Sequence, residues 1–179
     1  MTTKNIILVG FMGAGKTVTA RVLAERLGRT LVSTDDEIIA KEGRSINDIF
    51  RDSGEAYFRQ VEQKVVRECS ARSGLVIDCG GGIVLDQANM DALKTGGTVI
   101  YLKTSPDVVY ARVKDQTHRP LLNVEDPLQK IRDMLQQRAP FYAQADHAVD
   151  TDGKSAEDVA EEIIKIIESQ SHRVTESQN

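Results

Sequence analysis

The chain has 179 residues, 40% of them hydrophobic, with 27 acidic against 23 basic side chains and a formal charge of −4. That is enough apolar material for one cored domain, and the acidic balance, with no long Lys/Arg run, speaks against a nucleic-acid backbone as partner. The apolar run 6–9 is far too short for a membrane span and lacks a signal-peptide cleavage pattern, so a cytoplasmic protein is expected, and Cys69 and Cys79 offer neither a disulfide framework nor metal-ligand spacing.

Residues 5–9 read as the first strand, and the sequence GFMGAGKT at 10–17 follows it directly. This is G-x-x-x-x-G-K-[ST] between a strand and the helical run 18–27, the context in which such a motif cradles phosphate. Glycines let backbone N–H groups turn inward around phosphate oxygens, and the positive end of the next helix adds to that field. Lys16 is therefore expected to reach the β- and γ-phosphates and to be catalytic. Thr17 is expected to ligate Mg²⁺, with Gly13, Ala14, Gly15 and Val18 completing the ATP-binding loop.

A second strand at 30–32 leads to Asp35, at the end of the sheet where open α/β folds bind ligands. Its carboxylate is placed to hold and polarise an acceptor hydroxyl for in-line attack. Arg59 lies in a helical stretch with Phe58, Val61, Val65 and Val66, beside the apolar stripe. The strand 75–78 ends at Asp78, expected near the metal, and Gly80, Gly81 and Gly82 follow as a surface that a ligand can approach closely.

After a strand at 98–102, Ser105-Pro106 and Asp126-Pro127 each put an N-cap side chain before a proline at the first helical position. The segment 115–125, DQTHRPLLNVE, between those helices reads as a lid. Its Arg119 is expected to act in cis on the transferring phosphoryl group, whereas His118 is expected to face solvent. Arg138 is read as ending the helix that starts at Pro127; with Arg59 it offers forked donors for an acceptor carboxylate.

A short strand at 148–149 and a helix capped by Ser155 and Asp158 close the domain. The polar stretch 170–179 is expected to be disordered. The scheme is one three-layer α/β/α domain over 1–169 with a parallel sheet, an acceptor-binding region at about 33–61 and a lid at about 115–125.

These motifs together resemble shikimate kinase: GFMGAGKT, STDDEI, GRSINDIF, FRQVE, GGG, HRPLL and RAPFY occur in order along most of the chain. The resemblance implies the nucleoside monophosphate kinase-like fold with five parallel strands, ATP as phosphoryl donor, Mg²⁺, and transfer to the 3-hydroxyl of shikimate. It implies that Asp35, Arg59, Gly81 and Arg138 bind shikimate. It also implies that 152–155, including Lys154, form the adenine-binding loop and that Arg112 stacks on the base. A monomer is expected.

One departure stands out. The family usually has an acid, a small residue and a second acid after the second strand, whereas this chain has Ser33-Thr34-Asp35. Asp78, where the family commonly has Ser or Thr, is expected to supply the displaced carboxylate, with Asp36 as the other candidate. Competing readings are another small-molecule kinase, such as a gluconate kinase, and a nucleotide-binding regulatory module without transfer.

Overall fold

In the computed structural model, residues 4–116 and 123–176 are described. Five strands, β1 (Asn5–Gly10), β2 (Thr30–Ser33), β3 (Leu75–Asp78), β4 (Gly97–Lys103) and β5 (His147–Asp150), form one parallel sheet in the order β2-β3-β1-β4-β5. The central strand β1 is buried along its whole length. Its residues divide between two cores, as alternation across a strand demands: Ile7 and Val9 join one, Ile6 and Leu8 the other.

The first core is covered by α3 (Ile46–Ser70), α4 (Gln87–Gly96) and Tyr142 of α6 (Pro127–Tyr142). The second is covered by α1 (Lys16–Leu27) and α7 (Ala156–Glu176), which gives three layers. A smaller cluster joins Phe11 to Val109 and Val113 of α5 (Pro106–Val113) and to Ile131 and Met134 of α6. It fixes α5 and α6 against the loop after β1.

Each strand ends where it was expected to within one or two residues, because both faces of the sheet are covered and the apolar runs are continuous. Local chemistry accounts for several helix starts. Asp126 accepts from Gln129 N at 3.0 Å, and Ser155 and Asp158 exchange bonds of 3.1 Å in both directions, a reciprocal cap.

Four details differ from the sequence reading. Ser105 sits at the N-cap of α5 with Pro106 behind it, but its hydroxyl makes no bond to a helical N–H. The helix carrying Arg138 does not stop there; α6 continues through Pro140 to Tyr142, because a proline in the last turn forfeits only one bond of a helix about to end. The segment after Ser33, read only as part of an acceptor-binding region, is helical: α2 (Thr34–Glu42) starts at once, capped by the Ser33 hydroxyl, which accepts from Asp36 N at 3.2 Å. And α7 runs to Glu176, so the backbone of 170–176 is helical where an irregular tail was expected.

Candidate active site

Because every strand runs the same way, the loops after β1, β2 and β3 emerge side by side at one sheet end. The loop after β1 winds tightly: Gly13 and Gly15 have φ of 75° and 85°, a conformation that L side chains rarely adopt. Lys16 is buried and its ammonium donates to the carbonyls of Gly10 and Phe11 at 2.8 and 2.9 Å. The cation thus lies within the curl of the phosphate loop.

Thr17, next along α1, donates its hydroxyl to Asp78 Oδ2 at 2.7 Å. Asp78 stands at the end of β3 and is the register partner of Ser33 on β2. The two positions are neighbours across adjacent parallel strands. Burial pushes the Asp78 carboxyl above the usual carboxylate range, while the Thr17 hydrogen bond and Lys16 draw it back.

Asp35, in the first turn of α2, is also raised, first by burial and then by the charge of Asp78, with Lys16 and Arg59 opposing. Asp36 is exposed. On a helix successive side chains point about 100° apart rather than to opposite faces, and here it is Asp35 that turns toward the sheet end.

The three glycines after β3 form the floor between these groups. A Cβ on Gly80 would lie 2.8 Å from Asp35 Oδ1, and a Cβ on Gly82 would lie 2.6 Å from Arg59 Nη2. Gly81 contributes its carbonyl, which accepts from Arg138 Nη1 at 2.9 Å. The triplet therefore makes room for the pocket's own charged side chains as well as for a ligand. Asp35, Arg59 and Arg138 come together around it.

The two arginines are held differently. Arg59 Nη1 donates to Glu62 Oε1 at 2.8 Å, one turn along α3, and Glu62 is 1% exposed. Burial raises the Glu62 carboxyl, and Arg59 opposes that. Arg138 is buried over the Phe11 ring, 5.3 Å from its centroid, and also meets the Tyr142 hydroxyl.

The sequence reading gives Glu62, the last residue of FRQVE, no task; its spacing of three from Arg59 on a helix is the available signal. It missed Thr34 and Phe11. Thr34 is fully buried; its hydroxyl accepts from Gly80 N at 3.0 Å and reaches Asp78 O at 3.5 Å, tying the start of α2 to the glycine loop.

On the other side of the phosphate loop, a cavity of about 260 Å³ is lined by Ala14, Gly15, Val18, Arg112, Thr151 and Lys154, among others. Arg112 Nη1 donates to Gly13 O at 2.9 Å and Lys154 pairs with Glu162 at 2.6 Å. Arg119 and His118 lie outside the described residues, as does most of the expected lid. Cys79 is buried and burial pushes its thiol well up, which makes it inert despite its place beside the triplet.

The sequence matches the family model "Shikimate kinase" over residues 12–168. It is 42% identical over 172 residues to a shikimate kinase of Thermodesulfovibrio yellowstonii, covering 96% of this chain and 99% of that one. It is 48% identical over 160 residues to one from Dehalococcoides mccartyi, covering 89% and 90%. Among solved structures, the shikimate kinase from Acinetobacter baumannii in complex with shikimate superposes with a TM-score of 0.89 at 42% identity, covering 94% of this chain and 95% of that one.

Proposed function

The chain belongs to the shikimate kinase family, and from that premise we propose that it transfers the γ-phosphoryl group of ATP to the 3-hydroxyl of shikimate, giving shikimate 3-phosphate and ADP. The observation that carries this reading is the meeting of Asp35, Arg59 and Arg138 around Gly80–Gly82, one strand away from the phosphate loop. Two guanidinium forks suit a carboxylate and one carboxylate suits a hydroxyl. An anionic polyol is the ligand that needs both.

In this mechanism Arg59 and Arg138 hold the shikimate carboxylate, and the glycine backbone lies against the ring. Asp35 then orients the attacking hydroxyl and takes its proton as the oxygen–phosphorus bond forms. Lys16 moves from its own loop carbonyls to the β- and γ-phosphates, and Gly13, Ala14, Gly15, Thr17 and Val18 enclose them. Arg112 and Lys154 line the base-side cavity. Arg119 is assigned to the phosphoryl group in flight.

The donor set at the end of the loop, one hydroxyl and one carboxylate oxygen 2.7 Å apart, is of the hard kind Mg²⁺ prefers. Thr17 and Asp78 are the residues that would hold the ion, which would neutralise charge on the phosphates. The register of Ser33 with Asp78 supports the idea that the acid has moved one strand across.

Asp78→Asn should raise the Mg²⁺ concentration for half-maximal turnover at least about tenfold, and weaken Mg²⁺ binding to the ADP complex in a calorimetric titration. An unchanged Mg²⁺ dependence would remove Asp78 from the metal site.

The reading as a whole is tested by ADP release from Mg²⁺–ATP with shikimate, gluconate, a nucleoside monophosphate or no acceptor. Stimulation by shikimate alone is the expected result. Stimulation by gluconate instead would reassign the acceptor, and ATP binding without stimulation would favour a regulatory module. A monomeric, cytoplasmic enzyme completes the proposal; among the described residues no helix is long and apolar enough to cross a membrane.

A further inference from the structure

The base-side cavity has two walls from distant parts of the chain. One is the loop after β5, which contributes Thr151 and Lys154; the other is α5, which contributes Arg112. The loop is sewn to the end of β4. Thr151 donates to Lys103 O through its backbone N–H at 2.9 Å and through its hydroxyl at 3.1 Å, and the buried hydroxyls of Thr104 and Thr151 pair at 2.5 Å.

The next bond in this seam does something the others do not. Asp152 Oδ1 accepts from the backbone N–H of Ser105, at 3.0 Å, and Ser105 is the N-cap of α5. In a capping box that N–H is satisfied by an acid or amide three residues into the same helix. In α7 the local sequence supplies one, Asp158 for Ser155. In α5 the corresponding position is Val108, which has no polar atom to offer. Asp152 supplies that acceptor from 47 residues away, although the other half of a box, a bond from the Ser105 hydroxyl to the helix, is not made.

α5 is a stiff element of eight residues whose far end rests on the phosphate loop. Arg112 bonds Gly13 O, and Val113 Cγ1 lies 2.8 Å from where a Gly13 Cβ would be. We propose that Asp152 is a positioning residue for the nucleotide: by capping α5 it sets the distance between the two walls of the cavity and seats Arg112. This rests on the ATP site assigned above. Asp152 is exposed, so its replacement leaves the core intact.

The test compares Asp152→Ala, Asp152→Asn and Ser105→Pro. Ser105 has φ of −65°, which proline shares, so that change deletes both Ser105 donors to Asp152, the backbone N–H and the hydroxyl, without opposing the φ at that residue. Asp152→Ala should raise KM for ATP about three- to tenfold, in line with losing a cap, and weaken ATP binding by calorimetry equally. KM for shikimate and kcat should stay within about twofold.

Asp152→Asn should restore ATP binding, because its amide oxygen accepts the same bond. Adding Asp152→Ala to Ser105→Pro should cause no further loss. An unchanged ATP affinity in Asp152→Ala, a loss shared equally by shikimate, or an Asn variant as weak as Ala would overturn the proposal. Wild-type protein without shikimate-stimulated turnover would overturn the proposed function instead, and the calorimetric ATP affinities would then decide Asp152 by themselves.

Discussion

Asp35→Asn should lower kcat by about 10²–10⁴-fold, the range for loss of a positioned general base, while ATP affinity changes little. Asparagine keeps the shape and one acceptor oxygen but has no basic site for the hydroxyl proton. The same substitution is expected to raise the melting temperature of the ligand-free protein at neutral pH.

The sign follows from the upward shift of Asp35, caused first by burial and then by Asp78. With a folded value above the unfolded one, the native state binds more protons between the two. Stability therefore falls as pH rises from the ordinary carboxylate value through the raised one, and at neutral pH the ionised, buried group is a burden that Asn lifts. The acidic limb of the kcat/KM profile for shikimate should accordingly lie above the ordinary Asp range. A variant within tenfold of wild type would leave Asp35 a ligand and no more.

Gly82→Ala should lower kcat/KM for shikimate about 100-fold with KM for ATP nearly unchanged. Gly82 has φ of −97° and ψ of 2°, open to alanine, so the backbone is not the obstacle. The new methyl would lie 2.6 and 2.9 Å from the two terminal nitrogens of Arg59. A guanidinium is the free end of a flexible side chain, and the fold survives its displacement.

What is lost is its aim. Arg59 cannot move far without leaving Glu62 buried and unpaired, and a misdirected fork forfeits charge-assisted bonds of about 1.5–3 kcal/mol each. At about 1.4 kcal/mol per factor of ten, two of them amount to the stated loss or more. Arg59→Ala should be nearly as impaired, and the double variant no worse than either. A Gly82→Ala enzyme with normal shikimate kinetics would mean that Arg59 does not hold the acceptor.

Much of this architecture was legible in the sequence because it rests on local signals. Continuous apolar runs mark strands buried on both sides, and GFMGAGKT carries its own geometry. The failures share a cause as well: each depends on a partner remote in sequence or on the backbone state at one residue. Ser33 looked like no more than the residue after a strand, yet its hydroxyl caps a helix that begins at Thr34, and that helical turn sets which way Asp35 and Asp36 point. Ser105 looked like a self-sufficient cap, but its hydroxyl bonds no helical N–H and its own N–H is taken by Asp152.

Arg138 looked like the end of its helix, yet Pro140 is tolerated in a final turn that runs to Tyr142. The bond of Thr34 to Gly80 N joins residues 46 apart, and no periodicity announces it. The site residues themselves were named on chemical grounds, but their mutual distances came only with the sheet order.

The fit of the glycine triplet against Asp35 and Arg59 bears on escape from inhibition. A compound that rests on this floor and engages the same two side chains would touch positions where the smallest possible enlargement, a single methyl, intrudes on the machinery. Resistance arising there would have to damage the acceptor site in the act of excluding the drug. The base-side cavity, with side chains such as Val18 and Lys154 on its lining, leaves far more freedom to vary.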